Sequence, residues 1–181
     1  MVKTEVVAHH EAGHAVATIA FGRRFRHVTI QQKGGSLGHV LEWRLPRTFR
    51  PDVQVTPRAR LLIDDQVSIL FAGAAAERKF AGRVNRKASE SDRDAAFTLG
   101  SYVGGGGKPL LAYLRWRQLC AEAAVERRWH DICAVASALL ERERLSFSET
   151  QAVLEEVYQR SDEGKRIANI AAGMAVAADS V

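Results

Sequence analysis

Apolar residues recur at helical spacing along most of the chain and alternate in only one short region. Over residues 4–21, Val7, Ala8, Ala15, Ile19 and Phe21 fall near one helix face, with Thr4 as N-cap and Gly22 as stop. The stretch "HVTIQQ" follows, where Val28 and Ile30 alternate with polar neighbours, so a strand is expected. "KGGSLG" reads as a turn, and "LGHVLEW", residues 37–43, as a second strand antiparallel to the first. With two prolines and no period, "RLPRTFRPDVQ" reads as a loop.

Thr56-Pro57 supplies an N-cap and a proline at the first helical position. The helix it opens runs to about Phe80 and buries Leu62, Val67, Leu70, Phe71 and Ala74. The small residues of "GAAAERKFAG" let another helix approach closely. A third helix begins near Ser89 or Glu90 and ends at the glycine run 104–107, which reads as a flexible loop. Pro109 opens a long helical region to about Glu143. Ser148 and Gln151 form a capping box for a last helix ending near Tyr158. The fold class expected is mainly α with a small antiparallel β-hairpin or sheet. It forms one domain over residues 1–160, followed by an Ala- and Gly-rich C-terminal tail, 161–181, that is mobile or loosely docked.

Composition narrows the function classes. Hydrophobic residues at 46% and charged residues at 26% support a packed core. The net charge of +5 allows contact with an anionic polymer, but bases alternate with acids, as in Glu141-Arg142-Glu143-Arg144, and read as a solvated surface. No nucleic-acid partner is expected. Cys120 and Cys133 match no close-set metal spacing and read as small buried thiols in a reducing compartment. His9, His10, Glu11 and His14 interrupt any N-terminal signal, and the late apolar stretch Ile167 to Ala178 is too short for a membrane span. A cytoplasmic protein is expected.

The chemistry lies in the opening helix. His10-Glu11-Ala12-Gly13-His14 fits H-E-x-x-H. Residues four apart share a helix face, so both imidazoles can reach one metal ion. Glu11 is turned about 100° around the axis. Its carboxylate stands beside the ion, where it can hold a water and take its proton. Two histidines at this spacing arise by chance, but the glutamate in its slot and the small neighbours Ala12, Gly13 and Ala15 favour a metal site. His9 faces another side and reads as a surface histidine or one behind a ligand. A catalytic zinc site needs a third ligand. His27, His39, His130, Glu77, Asp92 and Asp94 are the candidates the residues leave open.

"HHEAGHAV", "VTI…GGSLGHV", "ILFAGAAAERKFAG", "ASESDRDAAF" and "LLERERLSFSE" follow one another in order from about residue 5 to residue 157. In that order they resemble the peptidase domain of the FtsH family, the membrane-bound ATP-dependent zinc proteases of bacteria and organelles. The resemblance implies an FtsH-peptidase-like zincin helical bundle holding one Zn²⁺ per chain. It makes His10 and His14 zinc ligands, Glu11 the catalytic base and Asp92 the third ligand. Glu77 matches a glutamate near that family's active site; it either accepts a hydrogen bond from a ligand imidazole or is the alternative third ligand. Asp94 reads as a solvated carboxylate. The strand containing Leu37, Gly38, His39 and Val40 is implied to pair with an extended polypeptide substrate.

The chain departs from the family's pattern at Ala72-Gly73-Ala74, Arg78 and Ser91, and contains no Walker-type glycine loop. The expectation is a zinc-dependent metalloendopeptidase acting on flexible or unfolded protein segments without its own ATPase. A separate ATPase or self-association is left open as a partner. The alternative is a catalytically weak or inactive peptidase-fold module that binds extended peptides or a protein partner. Retention of Glu11 speaks against that alternative, because a structural zinc has no use for a base.

Overall fold

Helix α1 (Lys3–Ala20) is buried along the whole of residues 8–18, so it must be enclosed by other elements rather than lie on a surface. The computed structural model describes residues 3–31 and 49–160, with the backbone of 39–42. Within these residues α1 packs most extensively against α2 (Pro57–Ala81) and then against α5 (Trp129–Arg142). Ala8, Ala12 and Ala15 are fully buried, which allows these close approaches. Gly13 sets the limit: a Cβ there would lie 2.7 Å from both the Ala72 carbonyl oxygen and the Ala76 Cβ. Thr4 lies inside the first turn of α1 rather than capping it. The other end closes as expected at Gly22, whose φ of 66° permits a left-handed turn. Gly22 N–H donates to the Ile19 carbonyl at 2.9 Å and Arg23 N–H to that of Thr18 at 3.0 Å.

Helix α2 starts as its sequence announces. Thr56 Oγ1 accepts from Ala59 N–H at 3.1 Å, Pro57 takes the first position, and Gly82 ends the helix in the left-handed region at φ 72°. Its buried face differs from the one expected. Val67 is buried, but Ile63, Ile69, Ala72 and Ala76 are buried with it, while Leu62, Leu70, Phe71 and Ala74 are only half-buried. The cause is that α2 lies between α1 on one side and α3 (Glu90–Gly104) and α4 (Gly107–Arg127) on the other. Two opposite faces are therefore covered, not one stripe.

The long helical region after the glycines is two helices. The chain breaks at Arg128, with φ −107° and ψ 22°, and α5 turns back along α1 to bury Ile132, Val135, Ala136 and Leu139. Both cysteines are free and half-buried, less enclosed than expected.

Among the described residues the sheet has three strands in the order β2-β1-β3, all antiparallel. Strand β1 (Phe25–Thr29) is central and β2 (His39–Glu42) is an edge, with Val28 opposite Val40 and Thr29 opposite His39. Strand β3 (Arg144–Ser146) was not expected: it is too short for any alternation to show, and it is held by burial of Leu145 and pairing with β1. The capping box of α6 (Phe147–Arg160) is built on Ser146 and Glu149, not on Ser148 and Gln151. Glu149 Oε2 accepts from Ser146 N–H at 2.7 Å, and Ser146 Oγ accepts from Glu149 N–H at 3.3 Å. The tail 161–181, Leu37 and Gly38 lie outside the described residues. Among the described residues no helix is long and apolar enough to cross a membrane.

Candidate metal centre

Three segments meet at one point beside α1. The i, i+4 spacing puts His10 and His14 on the face of α1 that looks toward α2. Asp92 comes from the first turn of α3, which α2 holds against the same region. His10 Nε2 and His14 Nε2 lie 3.1 Å apart, and Asp92 Oδ2 is 3.2 Å from the first and 3.3 Å from the second. Ligand atoms about 2.1 Å from a tetrahedral zinc stand about 3.4 Å from each other. The observed separations are close to those edges.

The hydrogen bonds behind the rings fix which nitrogen faces the centre. His14 Nδ1–H donates to the Ile69 carbonyl at 2.8 Å, and a carbonyl can only accept. His10 Nδ1–H donates to Glu77 Oε2 at 3.1 Å. Glu77 Oε1 in turn accepts from Asn85 N–H at 2.6 Å. Both Nε2 lone pairs thus point at each other and at a carboxylate. Such a cluster repels itself unless a cation sits within it. Two imidazoles and one carboxylate are a donor set suited to zinc.

Gly73 of α2 provides room at this point. A Cβ there would stand 2.3 Å from His14 Nε2 and 2.8 Å from His10 Nε2, so any side chain would fill the cradle. The residues present fit a divalent metal.

Protons compete for the same lone pairs. Burial works against the His10 imidazolium, but the hydrogen bonds to Asp92 and Glu77 outweigh it and raise the pKa to about 10. His14 is raised in the same way, chiefly by Asp92 against burial. Asp92 is held well below the usual carboxylate range, with both imidazoles overcoming its desolvation. Glu77 is lowered because His10 and the Asn85 N–H together outweigh burial.

Glu11 is different. It is buried, Oε2 has no hydrogen-bond partner among the described residues, and burial pushes its pKa up, partly offset by His14 and His10. A carboxylate oxygen so placed beside a cluster that could hold a cation is free to accept from a water. Together with His10 and Glu77 it lines a cleft of about 1210 Å³ that also touches Val6, Val7, Ala81 and Val84.

The other sequence candidates lie elsewhere. His9 is buried, not at the surface; its ring stacks on Phe80 at 3.6 Å between centroids and its Nδ1–H donates to the Glu5 carbonyl at 2.8 Å. His27 pairs with Arg144 on the sheet, and His130 is exposed. Asp94 is exposed on the rim of the cleft. Of the substrate strand, His39 and Val40 lie in β2 and only their backbone is described. Sequence reasoning missed Gly73, the Asn85 N–H and the Ile69 carbonyl. The run of small residues around position 73 was the one available signal.

No protein-family model matches the chain. The chain is similar to the ATP-dependent zinc metalloprotease FtsH 1 of Symbiobacterium thermophilum, with 30% identity over an alignment of 175 residues. The match covers 82% of this chain but 28% of that protein, so this chain spans less than a third of the relative's length.

Proposed function

We propose that this chain is a zinc-dependent endopeptidase that hydrolyses peptide bonds in flexible or unfolded polypeptide segments. The observation that carries the reading is the convergence of His10 Nε2, His14 Nε2 and Asp92 Oδ2 beside the unpartnered Glu11 carboxylate. Zn²⁺ in that donor set would polarise the scissile carbonyl and make an attacking water more acidic. Glu11 is the general base. It takes the proton from water and returns it to the leaving amine, and its raised pKa brings it closer to the pH at which such a shuttle works. Glu77 orients His10, and the Ile69 carbonyl orients His14, so each ring presents Nε2 inward.

The cleft in front of His10 and Glu11 gives an extended segment room to lie against the apolar side chains of Val6, Val7 and Ala81. Among the described residues β2 is an edge strand, suited to strand addition, which gives affinity with modest demand on sequence. Similarity to a zinc metalloprotease supports the same reading; the ATP dependence in that protein's name is not carried over to this chain. The test is Glu11→Gln. It should retain the parent's zinc content and lose casein and peptide cleavage by about 10²-fold or more. Cleavage at the parent rate would overturn the mechanism.

A further inference from the structure

A second cavity shares Arg83, Val84 and Arg86 with the cleft in front of His10 and Glu11. Its volume is about 400 Å³, within the range of about 300–1,000 Å³ usual for small-molecule sites. Four arginines line it, Arg78, Arg83, Arg86 and Arg93, against one acidic residue, Glu122. Glu122 is already engaged, accepting from Arg78 Nη1 at 2.7 Å. Arg93 donates to the Arg86 carbonyl at 3.2 Å. Among the described residues neither Arg83 nor Arg86 has a carboxylate partner within ion-pair distance.

The second observation is Ser89. It lines the same cavity, is 1% exposed, and its Oγ has no hydrogen-bond partner among the described residues. It stands at the N-cap position of α3 yet makes no capping bond. A buried hydroxyl without a partner costs about 1–3 kcal/mol unless something supplies one. Ser89 lines a cavity bordered by four arginines and the start of a helix, an arrangement that favours an oxyanion. The acids of the first turn look away: Glu90 lines the metal cleft and Asp92 faces the imidazoles. Phe71, Ala74, Ala75 and Val84 supply an apolar side.

We infer that this cavity is a binding site for a phosphorylated small molecule. Its phosphate is held by Arg83, Arg86, Arg93 and the Ser89 hydroxyl, and its apolar body rests on Phe71. The inference stands on the cavity alone and does not depend on the peptidase reading.

The test titrates the full chain, as isolated, with phenyl phosphate by calorimetry. One saturable site is expected. Arg86→Ala, at an exposed position, should weaken binding about tenfold or more. Ser89→Ala should weaken it several-fold without lowering the melting temperature, because the lost hydroxyl has no partner within the protein. Benzoate, with a single charge, should bind about tenfold more weakly than phenyl phosphate. The site is overturned if no saturation appears up to about 10 mM, a Kd too weak for a built pocket. It is equally overturned if Ser89→Ala and Arg86→Ala bind like the parent, or if benzoate binds as tightly as phenyl phosphate.

Discussion

Replacing Gly73 with alanine adds one methyl group at the point where the His10 and His14 imidazoles converge. The new Cβ would sit 2.3 Å from His14 Nε2, 2.7 Å from His14 Cε1 and 2.8 Å from His10 Nε2. A carbon and a ring nitrogen need roughly 3.3 Å, so His14 Nε2 must retreat by about 1 Å. The ring is not free to do so. It is buried, and its Nδ1–H is committed to the Ile69 carbonyl at 2.8 Å. Metal sites tolerate about 0.2 Å in ligand distance, so a shift of this size removes a ligand rather than adjusting it.

For the fold itself two effects oppose each other. Overpacking costs about 1–3 kcal/mol, while alanine in a helix interior is favoured over glycine by about 1 kcal/mol. The apoprotein should therefore lose no more than about 2 kcal/mol, whereas zinc affinity should fall by about 100-fold or more. The assay is chelator competition for zinc alongside thermal unfolding of the metal-free protein. A Gly73→Ala variant that binds zinc like the parent would show that the imidazoles do not meet at this face of α2.

Asp92→Ala should weaken zinc retention more than Glu77→Ala, for which about 10–100-fold is expected from loss of an orienting partner; the reverse order in a chelator series would make Glu77 the ligand. In the metal-free protein, His10 contributes stability while protonated, because its pKa is raised from 6.5 to about 10. That contribution is complete below pH 6.5 and is lost as pH rises through about 10, so chelated protein should become less stable over that window. Zinc binding must displace the same protons, so zinc affinity should rise over the same window; parallel denaturation curves with and without zinc would contradict this. Thr56→Ala removes the cap of α2 and should cost about 1 kcal/mol in chemical denaturation while leaving zinc stoichiometry unchanged.

The parts of the fold readable from sequence are those governed by neighbours in the chain. The Thr56-Pro57 start, the Gly22 stop and the facing pair His10 and His14 each depend on spacings of a few residues. The features that escaped depend on contacts between distant segments. The burial of two faces of α2 follows from its place between α1 and α4. The break at Arg128 and the three residues of β3 leave no period of their own. Ser148 and Gln151 satisfy the letters of a capping box as Ser146 and Glu149 do, and pairing of β3 with β1 selects the earlier pair by ending the strand at Ser146.

For the site, H-E-x-x-H gives two imidazoles and a carboxylate from one helix. Asp92 was reached through family resemblance, because nothing local distinguishes it from Asp94. Geometry separates them: Asp92 Oδ2 is 3.2 Å from His10 Nε2, while Asp94 is exposed on the cleft rim. Gly73 could not be assigned from sequence, because its importance lies in an atom it lacks.

In the proposed site His10, His14 and Asp92 together grip one ion. Zinc-edge X-ray absorption on the full chain loaded with one equivalent of zinc reads that coordination. A shell of nitrogen and oxygen at about 2.0–2.2 Å with the outer scattering of two imidazoles is expected, falling to a shell without the carboxylate in Asp92→Ala. A sulfur shell at about 2.3 Å, or a spectrum with fewer than two imidazoles, would contradict it.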